Sequence, residues 1–221
     1  PTHASEKPAE IPNLDYDRRL LTVVKNRVAH PKAVIPVFPG TNCEYDTANA
    51  CIRAGIDPEI LVIRNLTTDL LNQSAQALEA AISQAQMIVL PGGFSGGDEP
   101  EGSGKFIASF FRNPRIKDAV HEMLKQRDGL MLGICNGFQA LIKLGLVPYG
   151  EIRDMDDSCP TLTFNLIGRH QSRYCDIRVA SVLSPWMLKA QVGDIYTVPI
   201  SHGEGRFVAP QAILDEMIQN G

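Results

Sequence analysis

The sequence predicts an open α/β fold, with a mostly parallel but mixed sheet and helices on both faces, and three observations carry that reading. Between Ala33 and Leu144, short apolar runs of strand length alternate with longer segments of helical periodicity. The run Met87–Leu90 passes directly into Pro91-Gly-Gly-Phe-Ser-Gly-Gly97, a flexible loop at the carboxyl end of a strand, where open α/β sheets bind their ligands. After Gly145 the pattern becomes short strand-like stretches, which read as antiparallel and make the sheet mixed. With 221 residues, 44 % of them hydrophobic, the chain can bury one sizeable core.

Taken in order, the first dozen residues are rich in Pro, Ala and Glu and lack apolar periodicity, so residues 1–30 read as a linker or extension holding one short helix over Asp15–Lys25. The domain itself is expected over residues 31–221, with a C-terminal end that looks truncated. Ala33–Phe38 is the first strand, although it contains a proline, and Pro39-Gly40 turns the chain. Thr41 and Glu44 have the spacing of a capping box for a helix that reaches Ala54 and stops at Gly55. Glu59–Ile63 is a second strand, about Asp69–Ser83 a helix, and Met87–Leu90 the third strand. Two helices follow, near Lys105–Phe111 and Pro114–Gln126, with His121 expected to be solvated. Leu130–Ile134 reads as a buried parallel strand, and Phe138, Leu141, Ile142 and Leu144 recur at helical spacing until Gly145. Leu162–Ile167, Tyr174–Ala180 and Ile195–Ile200 are strand-like, Ser184 caps a short helix, and Gln211–Gln219 is helical in pattern.

Composition excludes several classes. A net charge of −4 gives no footprint for nucleic acid or an anionic membrane, and no apolar run approaches the roughly 20 residues of a membrane span. Five cysteines without a C-x-x-C pair or a Cys/His metal spacing argue against a disulfide framework and a metal site, and for a reducing, cytoplasmic setting. The stretch around Gly104-Lys105 fails as a phosphate loop, because Glu99 stands where the first glycine should be and Phe106 where Ser or Thr should follow.

The chemistry centres on Gly133-Ile-Cys-Asn-Gly137. A strand meets a helix at Cys135 there, and the flanking glycines give the cysteine form of a nucleophile elbow. Backbone N–H donors and the positive helix end then face the attacking sulfur. Attack on an unactivated amide needs a base that takes the thiol proton and later protonates the departing nitrogen. Ser201-His-Gly-Glu204 supplies one: His202 and Glu204, two apart in an extended segment, project from the same side, so the carboxylate can orient the imidazole. The four glycines of the 91–97 loop leave its N–H groups able to turn toward a ligand.

Pro91-Gly-Gly93, Gly133-Ile-Cys-Asn-Gly-Phe-Gln139 and Ser201-His-Gly-Glu204 resemble, in the right order, the three signatures of class I glutamine amidotransferase domains, whose fold is flavodoxin-like. The longer forms Phe94-Ser-Gly-Gly-Asp98 and His202-Gly-Glu-Gly-Arg-Phe207 resemble the glutaminase domain of phosphoribosylformylglycinamidine synthase, in particular the C-terminal domain of its large fused form. The resemblance implies Cys135 as nucleophile, His202 as base and Glu204 as its orienter, with the backbone N–H groups of Gly93 and Asn136 as the oxyanion hole. It implies Gly93, Phe94 and Gln139 as contacts to L-glutamine, and Asn165 and Arg169 as glutamine or interface contacts. It further implies no metal or cofactor in this domain, and a partner synthetase domain that uses ATP and Mg to aminate formylglycinamide ribonucleotide. The loop Gly97–Gly104 departs from the single-chain bacterial form. An amidotransferase of another pathway, a thiol enzyme on a similar elbow, and a catalytically silent interaction module are the alternatives; the thiol enzyme leaves the His202 and Glu204 pattern unexplained, and intact Cys135, His202 and Glu204 argue against the silent module.

Overall fold

The computed structural model describes residues 14–19, 27–96 and 103–221. They gather into two compact units: the larger takes in those of 27–169 and Gly203–Pro210, the smaller those of 14–19, His170–His202 and Gln211–Gly221.

The larger unit is built on four parallel strands in the order β2-β1-β3-β4, with β1 at Lys32–Val37, β2 at Asp57–Val62, β3 at Met87–Leu90 and β4 at Leu130–Gly133. Alternate residues of these strands feed two separate cores. Val34, Ile88 and Leu90 pack with α2 (Thr68–Gln84), α3 (Lys105–Phe111), α4 (Pro114–Lys125) and α5 (Asn136–Leu144), while Ala33, Ile35 and Val89 pack with Ala48 and Cys51 of α1 (Glu44–Arg53). Helices therefore cover both faces, as parallel strands require. A short α6 follows at Leu146–Tyr149.

The proline in β1 has a definite place. The carbonyls of Pro31 and Val37 accept from Asp57 and Ile63 at 2.8 Å, and that of Lys32 accepts from Gln86 at 3.0 Å, so odd-numbered residues face β2 and even-numbered ones face β3. Pro36 faces β3 without an N–H to offer, and pairing with β3 ends at Val34. The strand order reverses between β1 and β3, which makes their carboxyl ends the switch point of the sheet.

The antiparallel strands expected after Gly145 are present, but among the described residues they pair only with one another. In the larger unit β5 (Thr161–Thr163) joins β8 (Arg206–Val208), and the chain turns at once after Thr163 instead of continuing as strand to Ile167. In the smaller unit β6 (Gln171–Arg178) joins β7 (Ile195–His202), with Gln171 opposite His202. Val179, Val182 and Ala190 form a small core there, Ser184 caps the 3-10 turn Pro185–Met187 as its sequence suggests, and α7 covers Gln211–Asn220. The helix expected over 15–25 lies partly outside the described residues; its described part is not helical, and Tyr16 bridges Ser181.

Two local expectations are corrected. No capping box forms at α1: Cys43 is the N-cap, with φ 67° and no side-chain cap bond. Thr41 instead closes the preceding turn, its Oγ1 accepting from the Phe38 N–H at 3.1 Å. His121 is not simply solvated, because its Nε2 accepts the Ile152 N–H at 2.9 Å. Burial first, then the nearby Lys125 and Lys117 charges, hold its imidazole below the usual histidine range.

Candidate active site

Cys135 stands between β4 and α5 at φ 52°, ψ −109°, a conformation that L-residues rarely adopt. The strained turn is held from both sides: Ile134 N–H donates to Leu90 O at 3.0 Å, Gly137 N–H to Ile134 O at 2.9 Å, and Gln139 N–H to Cys135 O at 3.0 Å. Only glycine fits around it. A Cβ on Gly137 would meet Leu90 O at 2.2 Å, and one on Gly133 would meet the Gly137 backbone at 2.7 Å. The helix thus enters directly over the ends of β3 and β4, and the cysteine is left exposed. Gly92 lies alongside, since a Cβ placed there would be 3.4 Å from that of Cys135.

The segment after β3 is clamped by the loop after β1. Phe38–Thr41 form a turn closed by Thr41 N–H to Phe38 O at 2.8 Å, with Pro39 and Gly40, at φ 90°, in its centre. Thr41 then bridges Gly93 antiparallel, with Asn42 N–H donating to Gly92 O at 3.0 Å and Phe94 N–H to Gly40 O at 2.8 Å. In such a pair the N–H of the central residue points away from its opposite number, so the Gly93 N–H is turned from Thr41. Gly93 has φ 136°, and a Cβ on it would meet Gly40 O at 2.5 Å. Gly40 and Thr41 were read from sequence only as turn and cap residues and Asn42 not at all, and their place at the carboxyl end of β1 was the available signal for the site.

Two residues beyond Gly93, the Ser95 N–H donates to Asn136 Oδ1 at 3.1 Å; Ser95 is 4 % exposed, and its Oγ has no partner among the described residues. Asn136 Nδ2 donates to Gln139 Oε1 at 3.1 Å, and Gln139 Nε2 to the Glu204 carbonyl at 2.9 Å. The Glu204 carboxylate, in a residue 9 % exposed, accepts the Ser103 N–H at 2.8 Å. Burial holds the Lys143 ammonium below the usual lysine range, against the opposing pull of Glu204 and with a further push from Lys105.

Asn165 braces the same segment. Its N–H donates to Gly203 O at 2.9 Å, its Oδ1 accepts from Gly205 at 3.5 Å, and its Nδ2 donates to Arg169 O at 3.0 Å. Arg169 and Phe94 are exposed. The larger unit therefore holds Gly93, Phe94, Cys135, Asn136, Gln139, Asn165, Arg169 and Glu204, while His202 ends β7 of the smaller unit, one residue before the chain returns at Gly203. Within its unit, His202 follows Ser201, whose Oγ lies 2.8 Å from His170 Nε2. Residues 97–102 of the glycine-rich loop lie outside the described ones. Among the described residues no group of three or more His, Cys, Asp or Glu converges as a metal site, and no helix is long and apolar enough to cross a membrane.

An all-parallel sheet covered on both faces, with a cysteine elbow after its fourth strand, is the setting of a glutamine amidotransferase domain, and the comparisons agree. The family model described as the CobB/CobQ-like glutamine amidotransferase domain matches residues 30–221, and the chain belongs to that family. Among curated relatives, phosphoribosylformylglycinamidine synthase subunit PurQ of Nostoc sp. is 34 % identical over 193 residues, covering 85 % of this chain and 70 % of the relative. The subunit of the same name from Aquifex aeolicus is 33 % identical, covering 86 % and 70 %. A solved structure, PurLQS from Thermotoga maritima, superposes with a TM-score of 0.59 at 27 % identity, over 82 % of this chain and 70 % of that one. These relatives are named as subunits, whereas the longer motifs pointed in particular to the C-terminal domain of a large fused form.

Proposed function

We propose that this chain is the glutaminase part of a phosphoribosylformylglycinamidine synthase, releasing ammonia from L-glutamine for a synthetase partner in purine biosynthesis in the cytoplasm. The observation that carries the reading is the strained Cys135 elbow beside Gly92, at the mouth of the sheet.

In the proposed reaction the Cys135 sulfur attacks the side-chain amide carbon of glutamine, and its proton passes to His202. The tetrahedral oxyanion takes hydrogen bonds from the backbone N–H groups of Gly93 and Asn136. His202 returns the proton to the departing nitrogen, the C–N bond breaks, and ammonia leaves a glutamyl thioester on Cys135. Water, deprotonated by His202, then attacks the thioester, releasing glutamate and restoring the thiol. Glu204 orients the imidazole and stabilises its cationic form. The synthetase partner, with ATP and Mg, uses the ammonia to turn formylglycinamide ribonucleotide into formylglycinamidine ribonucleotide. This chain needs no metal or cofactor of its own for these steps.

The test is Cys135→Ala in the enzyme assayed with its synthetase. Amination from glutamine should disappear, amination from free ammonia should survive, and the unmodified chain should carry a glutamine-dependent thioester mass on Cys135. Equal loss of both activities would refute the assignment.

A further inference from the structure

We propose that the side chains of Asn136 and Gln139 are positioning residues, a relay running from the buried Asn136 to the half-buried Gln139 that sets the oxyanion segment and the Glu204 segment together. The proposal rests on the glutaminase reading and adds to it a role for two amides.

An uninterrupted set of hydrogen bonds crosses the start of α5. Ser95 N–H, two residues after Gly93, donates to Asn136 Oδ1 at 3.1 Å; Asn136 Nδ2 donates to Gln139 Oε1 at 3.1 Å; and Gln139 Nε2 donates to Glu204 O at 2.9 Å. Asn136 is 1 % exposed, so its amide has little water to fall back on. Each amide gives one donor and one acceptor to the chain, and the three-residue spacing from Asn136 to Gln139 stacks them on one face of the helix. Cys135 sits at the head of that helix. Moving Glu204 therefore moves Gln139 and Asn136, and with Asn136 the register of the Gly93 segment.

Ser95 and Ser103 each touch this relay, one at either end. Ser95 N–H binds Asn136, and Ser103 N–H binds the Glu204 carboxylate at 2.8 Å. Buried networks of this kind favour one arrangement over partly bonded ones, because a half-made network leaves polar groups desolvated and unpaired. The Gln139 amide gives one acceptor and one donor to protein groups, which ties its orientation to Asn136 and to the Glu204 backbone.

The experiment is a double-mutant cycle on glutamine hydrolysis in the complex with the synthetase, using Asn136→Ala, Gln139→Met and both together. Each single change should lower kcat by about 10- to 100-fold, the scale of an ångström-level misplacement, and leave KM within about two-fold. The double variant should fall no further than the worse single one, because either break interrupts the same relay. Multiplicative losses would overturn the proposal, as would a raised KM with kcat retained after Gln139→Met, the mark of a substrate contact. If Asn136→Ala does not fold, Gln139→Glu replaces it in the comparison: it keeps the acceptor for Asn136, loses the donor to Glu204, and should match the kcat loss of Gln139→Met. A retained kcat in Gln139→Glu would equally overturn the relay. The glutamyl thioester on unmodified Cys135 separates the two claims, since its absence defeats the glutaminase reading and its presence with multiplicative losses defeats the relay alone.

Discussion

Gly40→Ala probes how the loop after β1 holds Gly93, at a residue that does none of the proposed chemistry. The new Cβ would stand 2.1 Å from the Phe94 carbonyl oxygen and 2.9 Å from its carbon, both backbone atoms that no rotamer change can remove. Ordinary contact begins at 3.4 Å, so the two segments must part by about 1.3 Å or the turn must rebuild. A displacement near 1 Å in a positioning group lowers rate by about 10²-fold, and losing one oxyanion donor lowers it by about 10²–10³-fold. Glutamine hydrolysis by Gly40→Ala should therefore drop about 10²-fold in kcat, while amination from free ammonia is unchanged. Gly55→Ala is the matched control, since Gly55 shares a positive φ of 79° but has nothing within 4 Å of an added Cβ. It should lose about 1–2 kcal/mol of stability and keep its kcat. Steady-state glutamate release and thermal unfolding of the two variants decide the matter. A Gly40→Ala enzyme that folds and works within about three-fold of the unmodified one, a barrier change under 1 kcal/mol, would refute the clamp.

Two further predictions concern thiols and protons. Cys135 and Cys43 are both exposed, whereas Cys51 is buried and its thiol is pushed up by that burial. A glutamine-like electrophile should therefore label Cys135 first, and a simple alkylating reagent both exposed thiols; Cys43 modified first by the glutamine-like reagent, seen by peptide mapping, would count against the site. Burial holds the His121 imidazole below the usual histidine range in the fold, so the unfolded chain binds its proton more readily. Its contribution is complete above the ordinary histidine value near 6.5 and is lost as pH falls below it. The thermal midpoint should fall between about pH 7.5 and pH 5.5, and His121→Gln, which keeps an acceptor for Ile152 without titrating, should flatten that dependence; an unchanged slope would remove His121 as its source.

The elbow was legible because its signal is local: an apolar run, two glycines and a helical pattern meet within a dozen residues. The alternation of strands and helices up to Leu144 was legible for the same reason. Features made by contacts distant in sequence were not. Thr41 and Glu44 have capping-box spacing, yet Thr41 is drawn into the Phe38 turn and the bridge to Gly93, and nothing local announces a bridge across 52 positions. His121 looks like any helix-surface residue until Ile152 N–H is found against it. Alternation identified β5, β6 and β7 as strands but carries no information on partner, so their separation from the parallel sheet had to come from the structure. Gln139 could be placed in the first turn of the helix after Cys135 from sequence, whereas the direction of its amide depends on where Glu204 arrives.

Pro36 bears on what could be gained by making this protein sturdier. An ordinary residue at that position would supply an N–H toward β3, and the two central strands could zip beyond Val34 toward their carboxyl ends. The sheet would be better bonded, and the loops that leave those ends at Phe38 and Pro91 would be drawn out of the arrangement that brings Thr41 to Gly93. A proline one residue from the end of a central strand thus unfastens the sheet at its switch point. Sequence optimisation that scores strand propensity alone would remove it early, and the substitution belongs to the class in which added stability is traded against activity.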